Sequence, residues 1–185
     1  GYAQHKVKNE EISGELIGTQ NNNPTDAPVI RYGEVLINYA EASYELNDQI
    51  SQADLNKSIN VLRSRPDVNM PDLQVSGQQA MVNGQPIDDP ERPQSVAPIL
   101  WEIRVERRVE LMMEGFRLDD LKRWEYLEKT DTEDYTDINR GAYVDLSEHP
   151  EADVEVDGSG EGFVVPAYQA QSQRGFPGDY VYLYP

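Results

Sequence analysis

The stretch of the chain that decides the fold reads Ile103-Arg104-Val105-Glu106-Arg107-Arg108-Val109-Glu110-Leu111, followed by Glu114-Gly115-Phe116-Arg117-Leu118-Asp119-Asp120-Leu121-Lys122-Arg123-Trp124. Helical spacing places Glu106 and Glu110 on the apolar face that begins at Ile99. Burying an unpaired carboxylate is costly, so each one must be protonated, bound to a metal or paired with a cation. The stretch therefore predicts a helix that carries carboxylates into the protein interior.

Three interpretations of Glu106 and Glu110 can be compared. A di-iron carboxylate site requires Glu-x-x-His pairs, and neither His5 nor His149 stands in that spacing. A glycosidase requires two carboxyl groups on either side of a sugar bond in a cleft, whereas the surrounding positions are typical of a core. We therefore favour ion pairs between helices. The candidate cations are Arg31, Arg63, Arg117 and Arg123.

An antiparallel pair of helices is predicted upstream, over residues 28–65. Asn47-Asp48 breaks the helical pattern, Ser51 is a good N-cap for the second helix, and Pro66 ends that helix. The offsets resemble part of a tetratricopeptide (TPR) repeat, of which a stable stack needs about three copies. The first helix is apolar on two opposite faces, which predicts burial on both sides. These faces consist of Ile30, Ile37, Ala40 and Tyr44, and of Val35, Tyr39, Ala42 and Leu46.

Residues 66–98 separate this pair from the helix quoted above and hold six of the twelve prolines. That density excludes a helix and predicts a long surface loop with one hairpin at Asn83-Gly84. Pro98 then begins the helices that are predicted over residues 99–129. Gly115 ends or kinks the first of them, and the second runs from residue 116 to residue 129.

The composition excludes several classes of function. The 185 residues include 34 acidic and 16 basic ones, which gives a net charge of −18. A surface this acidic argues against binding duplex nucleic acid or anionic lipid, since both require basic residues. The chain has no cysteine, which excludes a disulfide framework, a thiol nucleophile and a cysteine-type zinc site. No apolar run approaches the roughly 20 residues of a membrane-spanning helix.

Residues 130–185 are predicted to form an acidic loop, a small β-hairpin and a tail. Eleven acidic residues and one arginine lie within 131–165. Valines alternate with acidic residues over 153–157, and an apolar run follows at 163–165. This pattern is typical of a β-hairpin with one solvent-exposed face. The spacing fails as an EF-hand because Val164 occupies the position of the bidentate glutamate. A looser Ca²⁺ site and a solvated acidic surface both stay open, and no other cofactor is expected.

Tyrosines in or beside loops are the candidate ligand-binding residues. A sugar ring stacks its apolar face on an aromatic ring while polar neighbours bind its hydroxyls. Trp101 and Trp124 stand at core-like helical spacing and are assigned to packing. The better candidates are Tyr126, Tyr135, Tyr143 and Tyr168. The sequence has no phosphate-binding glycine loop, G-x-S-x-G elbow or HExxH motif.

Three segments taken together resemble the SusD/RagB family of outer-membrane glycan-binding lipoproteins. Residues 30–42 are similar to the family's R-x-x-E-x-x-L-x-x-A-E-A helix, and residues 59–63 are similar to its I-N-x-x-R. The stretch quoted at the outset looks like the long signature I-x-x-E-R-R-x-E-L…E-G-x-R-x-x-D-L-x-R-W. Tyr182-Leu183-Tyr184-Pro185 is similar to the family's near-terminal Y-L-x-P-I-P. We therefore interpret residues 1–185 as a single SusD/RagB-like C-terminal domain.

The resemblance implies a mainly α fold with a TPR-like helix pair, long loops and a small β-hairpin. It implies a protein without enzymatic activity, attached to the external face of the outer membrane through a lipidated cysteine upstream of Gly1. There it would bind an oligosaccharide or other nutrient and deliver it to a SusC-like TonB-dependent transporter. The signature residues would then form an internal ion-pair network of Glu106, Arg107, Glu110, Arg117, Asp120 and Arg123.

Two other functions stay open at this point. A TPR-like adaptor would bind peptides or proteins, although the sequence offers only one helix pair with repeat offsets. A glycoside hydrolase would use Glu106 and Glu110 as its catalytic carboxyls.

Overall fold

Residues 29–131, 134–135 and 141–165 are described by a computed structural model. They fall into two compact units: those up to Arg117 form the helical unit, and those from Leu118 onward form the acidic unit. The helical unit consists mainly of α-helices, which confirms the predicted fold class. Within the described ranges, no helix is both long enough and apolar enough to cross a bilayer. The assignment of residues 1–185 to one domain stays a prediction.

Helix α1 spans Tyr32–Asn47 and ends where Asp48 adopts a left-handed φ of 50°; Pro28, the predicted start, lies outside the described residues. One face of α1 is buried and carries Leu36, Ile37, Ala40 and Tyr44. The opposite face is exposed, and Leu46 on it is 82% accessible. The predicted burial of both faces is therefore wrong for the described part of the chain, because the core lies on one side of α1 only.

The second helix of the pair is split into α2, Gln52–Lys57, and α3, Ile59–Arg63. Ser51 caps α2 as predicted, since its hydroxyl oxygen accepts the Asp54 backbone N–H at 3.1 Å. The break between the helices falls at Ser58, whose hydroxyl donates to the Asp54 carbonyl at 2.6 Å. Local hydrogen bonds of this kind compete with a regular helix. The core nevertheless receives Leu55, Ile59 and Leu62 from this half of the pair.

A three-stranded antiparallel sheet lies within residues 66–98. Its strands, in the order β1-β2-β3, are Leu73–Ser76, Gln79–Val82 and Gln85–Pro86. Asn83 and Gly84 join β2 to β3 with φ values of 52° and 73°, which confirms the predicted hairpin. The interpretation of the whole segment as a surface loop is wrong, because Leu73 and Ala80 are fully buried in the core. The prolines flank β1 and β2 and do not interrupt them.

Helix α4 spans Pro98–Glu110 and has proline in its first turn, as predicted. Its Ile99 and Ile103 side chains are fully buried in the core. Helix α5 covers Arg117–Arg123, and a 3₁₀ helix covers Leu127–Thr130. The continuous helix predicted from residue 116 to residue 129 is therefore wrong. Glu125, with a φ of 59°, stands at the break.

The described part of the acidic unit contains a second, two-stranded antiparallel sheet. Strand β4, Tyr143–Asp145, pairs with strand β5, Glu161–Phe163. The hairpin predicted within residues 153–165 is wrong in its first strand. Strand β5 pairs with β4 at residues 143–145 and not with residues 153–157. A single bridge between Val156 and Val164 is what remains of the predicted pairing.

Candidate functional site

Glu106 of α4 is paired with Arg63, the last residue of α3. The Arg63 Nε donates to Glu106 Oε1 at 2.7 Å, and Nη2 donates to the same oxygen. The third donor of the group, Nη1, reaches the Pro71 carbonyl at 2.9 Å. Only 6% of the Arg63 side chain and 14% of the Glu106 side chain are accessible. A charged pair is therefore held in the interior and ties α3 to α4.

Glu110, one turn further along α4, accepts from two arginines. Arg31 Nη1 lies 2.9 Å from its Oε1, and Arg65 Nη2 lies 2.6 Å from its Oε2. Arg31 also forks onto Glu114, with Nε and Nη2 at 2.8 and 2.7 Å from the two carboxylate oxygens. Its hydrogen bonds to Glu114 are the largest cause that raises the Arg31 pKa above its ordinary value. Arg65 was not among the candidate cations and stands directly before Pro66, which ends the helix pair.

The close approach of α1 to Glu110 depends on Gly33. A Cβ atom at this position would lie 2.5 Å from Glu110 Oε1 and 3.3 Å from Arg31 Nη1. Both atoms are held in place by the ion pair between them, so neither can move away freely. The glycine therefore provides the space in which the carboxylate meets its first arginine.

The other residues of the predicted network have different partners. Arg107 is buried, and its Nη1 donates to Asn38 Oδ1 at 2.6 Å, while its Nε lies 3.9 Å from the Glu41 carboxylate. In the acidic unit, Arg123 Nε donates to Asp120 Oδ1 at 3.0 Å within helix α5. Arg117 is exposed at the first position of α5. The proposed cations Arg31 and Arg63 are thus found on Glu110 and Glu106.

Two aromatic side chains of the acidic unit form an exposed pair. Tyr143 and Phe163 are opposite each other on β4 and β5 and meet edge to face, with centroids 5.4 Å apart and ring planes at 84°. Tyr143 is 56% accessible and Phe163 is 38% accessible. A hydrogen bond to Glu161, followed by burial and nearby carboxylates, raises the Tyr143 pKa, so the hydroxyl keeps its proton. This surface combines apolar faces with carboxylate acceptors, the combination that a sugar requires.

The remaining candidate tyrosines are placed differently. Tyr135 is half-buried, and Lys129 Nζ lies 4.1 Å from the centroid of its ring. Tyr126 is half-buried immediately before the 3₁₀ helix. Tyr168 lies outside the described residues. Phe163, the partner of Tyr143, was not among the candidates, although its place in an exposed strand pattern was the signal that could have identified it.

Across the described residues, no group of three or more histidine, aspartate or glutamate side chains is arranged to hold a metal ion. The acidic side chains of the β4–β5 sheet have other roles. Asp157 Oδ1, for example, accepts the Phe163 backbone N–H at 2.9 Å, and Asp145 Oδ1 accepts the Ser147 hydroxyl at 2.6 Å. The Ca²⁺ site considered from the sequence stays a prediction.

A comparison with known protein families matches residues 1–183 to the SusD family. The chain belongs to the SusD family. In this SusD-family chain, the signature residues Glu106, Arg107 and Glu110 bind side chains of the helix pair and of the residue that follows it. Packing between helices is therefore sufficient to explain why acidic and basic residues occupy these positions.

A solved structure that matches this SusD-family chain is a SusD-like carbohydrate binding protein from Bacteroides fragilis NCTC 9343. The two are 28% identical, the match covers 82% of this chain and 24% of that one, and the TM-score is 0.45. The chain thus spans about a quarter of the length of that relative. A search of curated proteins gave no significant match.

Proposed function

We propose that the protein binds glycans without breaking them, at the outer face of the outer membrane, and delivers oligosaccharides to a SusC-like TonB-dependent transporter. Membership of the SusD family supports this proposal, and the matched Bacteroides fragilis protein is itself a carbohydrate binding protein. Lipid attachment through an upstream cysteine belongs to the same proposal. The single structural observation that carries it is the exposed Tyr143–Phe163 pair with its neighbouring carboxylates.

The positions of Glu106 and Glu110 favour binding over hydrolysis. A hydrolase needs one carboxylic acid that can give up a proton and a second carboxyl group across a sugar bond. Here both carboxylates accept charge-assisted hydrogen bonds from arginines inside the helical unit. These contacts occupy the carboxylate oxygens that a substrate would need.

The aromatic pair can be tested by affinity electrophoresis of the intact protein in gels that contain one polysaccharide each. We expect at least one polysaccharide to retard the wild type, and Tyr143→Ala combined with Phe163→Ala to abolish that retardation. Tyr32→Ala is the matched control, because Tyr32 is an exposed aromatic residue of the helical unit. Equal retardation of the double variant and the wild type would show that the glycan binds elsewhere.

A further inference from the structure

The helical unit contains a polar concavity of about 410 Å³ beside the outer edge of strand β1. Its walls come from α2 on one side and from β1 and β2 on the other. The side chains that line it include Gln52, Asn56, Asp72, Gln74, Ser76 and Met81. Its volume lies within the range of about 300–1,000 Å³ that is usual for small-molecule sites. The aromatic pair of the acidic unit is not among the lining residues.

Side-chain amides fix one wall of this concavity. Gln52 Oε1 accepts the Val75 N–H at 3.0 Å, and the Gln52 amide nitrogen donates to the Leu73 carbonyl at 3.0 Å. Asn60 binds the same strand, accepting the Leu73 N–H at 2.8 Å. Both amide groups also donate to Asn56 Oδ1, at 2.9 and 2.8 Å. The orientation of Asn56 is therefore set before any ligand binds, which lowers the entropic cost of binding.

Several polar groups on the walls have no partner within the described part of the chain. The oxygen of Asn56 is occupied by two donors, which leaves its Nδ2 as a free donor. Gln74 Oε1 accepts the Gly84 N–H at 3.0 Å, which leaves the Gln74 amide nitrogen free as well. The Asp72 carboxylate forms neither a hydrogen bond nor an ion pair among these residues. The two amide donors and the carboxylate acceptor are therefore available to a ligand in the concavity.

This set of groups matches the hydroxyls of a sugar ring, because each hydroxyl can donate to a carboxylate and accept from an amide. Met81 supplies an apolar contact in the same lining. Among the described residues, no lysine, arginine or histidine lines the concavity, and the one charged group in that lining is acidic. A net charge of −18 over the chain further disfavours anionic ligands. Uronic acids and sulfated sugars therefore have no counter-charge among the described lining residues.

We propose that this concavity is a glycan subsite that binds one part of a neutral saccharide, with Asp72 and Asn56 on its hydroxyls. The inference rests on the proposed function and adds to it a second position and a ligand class. Asp72→Ala removes the strong acceptor without touching the amide network. Ser76→Trp fills the space from an exposed strand position and removes no side-chain hydrogen bond among the described residues.

Hydrogen–deuterium exchange of the intact protein provides a local readout. The probes are maltohexaose, xylohexaose, cellohexaose and mannohexaose, with hexagalacturonic acid as the anionic counterpart. We expect a neutral hexasaccharide to slow exchange in peptides that cover residues 52–57 and 72–76. Asp72→Ala should shift the midpoint of that protection to at least about tenfold higher sugar, as expected for a lost hydrogen bond to a charged group. Ser76→Trp should abolish the protection.

The matched control is Asp67→Ala, an exposed acidic residue outside the lining, which should leave the protection unchanged. Protection confined to peptides of the acidic unit, or equal protection in all variants, would overturn the subsite and leave glycan binding standing. Protection of residues 52–57 and 72–76 by hexagalacturonic acid as strong as by the neutral sugars would overturn the ligand class. The absence of protection by every sugar, with no heat of binding, would overturn both the subsite and the proposed function.

Discussion

Glu106→Gln and Glu110→Gln each remove one carboxylate from helix α4, and the structure predicts unequal costs. A count of contacts would make Glu110 the more important residue, since it binds two arginines where Glu106 binds one. What matters more is the environment in which each arginine is left. An orphaned buried charge is costly, whereas a charge with a second carboxylate or with access to water is not.

The two arginines that bind Glu110 would still have other partners or water after its loss. Arg31 keeps both of its hydrogen bonds to Glu114, at 2.8 and 2.7 Å. Arg65 is 44% accessible and can be hydrated. Arg63, in contrast, is 6% accessible, and after loss of Glu106 its remaining hydrogen-bond acceptor among the described residues is the Pro71 carbonyl. The Glu102 carboxylate interacts with its charge but accepts no hydrogen bond from it.

Breaking a buried pair from one side costs about 3–5 kcal/mol. Glutamine retains one acceptor oxygen, so we expect Glu106→Gln to lower the free energy of unfolding by about 3 kcal/mol, at the bottom of that range. Glu110→Gln weakens hydrogen bonds to charged groups without stranding a charge, so its cost should be about 1–2 kcal/mol. The predicted difference of at least 1 kcal/mol is roughly a fivefold change in the folding equilibrium.

Urea denaturation followed by tryptophan fluorescence can measure both values side by side. Glu45→Gln, on the exposed side of α1, is the control and should change stability by less than about 0.5 kcal/mol. If Glu110→Gln proves as destabilising as Glu106→Gln, or more so, then the unpaired charge of Arg63 does not determine which substitution costs more. A stable Glu106→Gln variant that lost a measured hydrolytic activity would instead revive the glycosidase alternative.

Three further predictions concern the helical unit. Gly33→Ala should cost about 1–2 kcal/mol net, because its Cβ meets Glu110 Oε1 at 2.5 Å, and a double-mutant cycle with Glu110→Ala should show that the cost largely disappears. Asn60→Ala should cost about 2 kcal/mol in urea denaturation, since the buried Leu73 N–H loses its acceptor; an unchanged midpoint would contradict this. Burial raises the pKa of Glu102 in the folded protein, so the free energy of unfolding falls as pH rises from the ordinary glutamate pKa through this raised pKa. Glu102→Gln should therefore raise the thermal midpoint at pH 7 and have no effect near pH 4.

Local signals in the sequence were sufficient for much of the helical unit. Ser51, Asn83-Gly84 and Pro98 act through bonds and dihedral angles within a few residues, and each has the predicted role in the structure. Strand β1 was missed because its stability depends on distant groups. Leu73 is buried only because the sheet packs on the helices, and the amide of Asn60 binds its backbone.

The ion pairs show the same division between local and distant information. Helical spacing indicated that Glu106 and Glu110 are directed inward, and the structure places arginines on both. Spacing could not choose among the arginines, because that choice depends on how α1 and α3 pack on α4. Arg65 was overlooked for this reason, as it stands beyond the last regular turn of the helix pair.

The aromatic surface was identified in part. Tyr143 was selected because tyrosines in acidic loops are typical of sugar sites, and it is exposed in the structure. Its partner Phe163 lies on a strand 20 residues further along the chain. The alternating valines at 153–157 predicted that this strand pairs with them, whereas it pairs with β4. Which strands pair is decided by side-chain contacts across the sheet, such as the one between these two rings.

The proposed function is glycan binding without cleavage. Calorimetric titration of the intact protein with neutral hexasaccharides, followed by chromatography of the recovered sugar, distinguishes binding from cleavage. We expect a saturable heat of binding for at least one neutral sugar, and recovery of that sugar as the intact hexasaccharide. Shorter sugars in the recovered material, or no heat with any glycan, would contradict it.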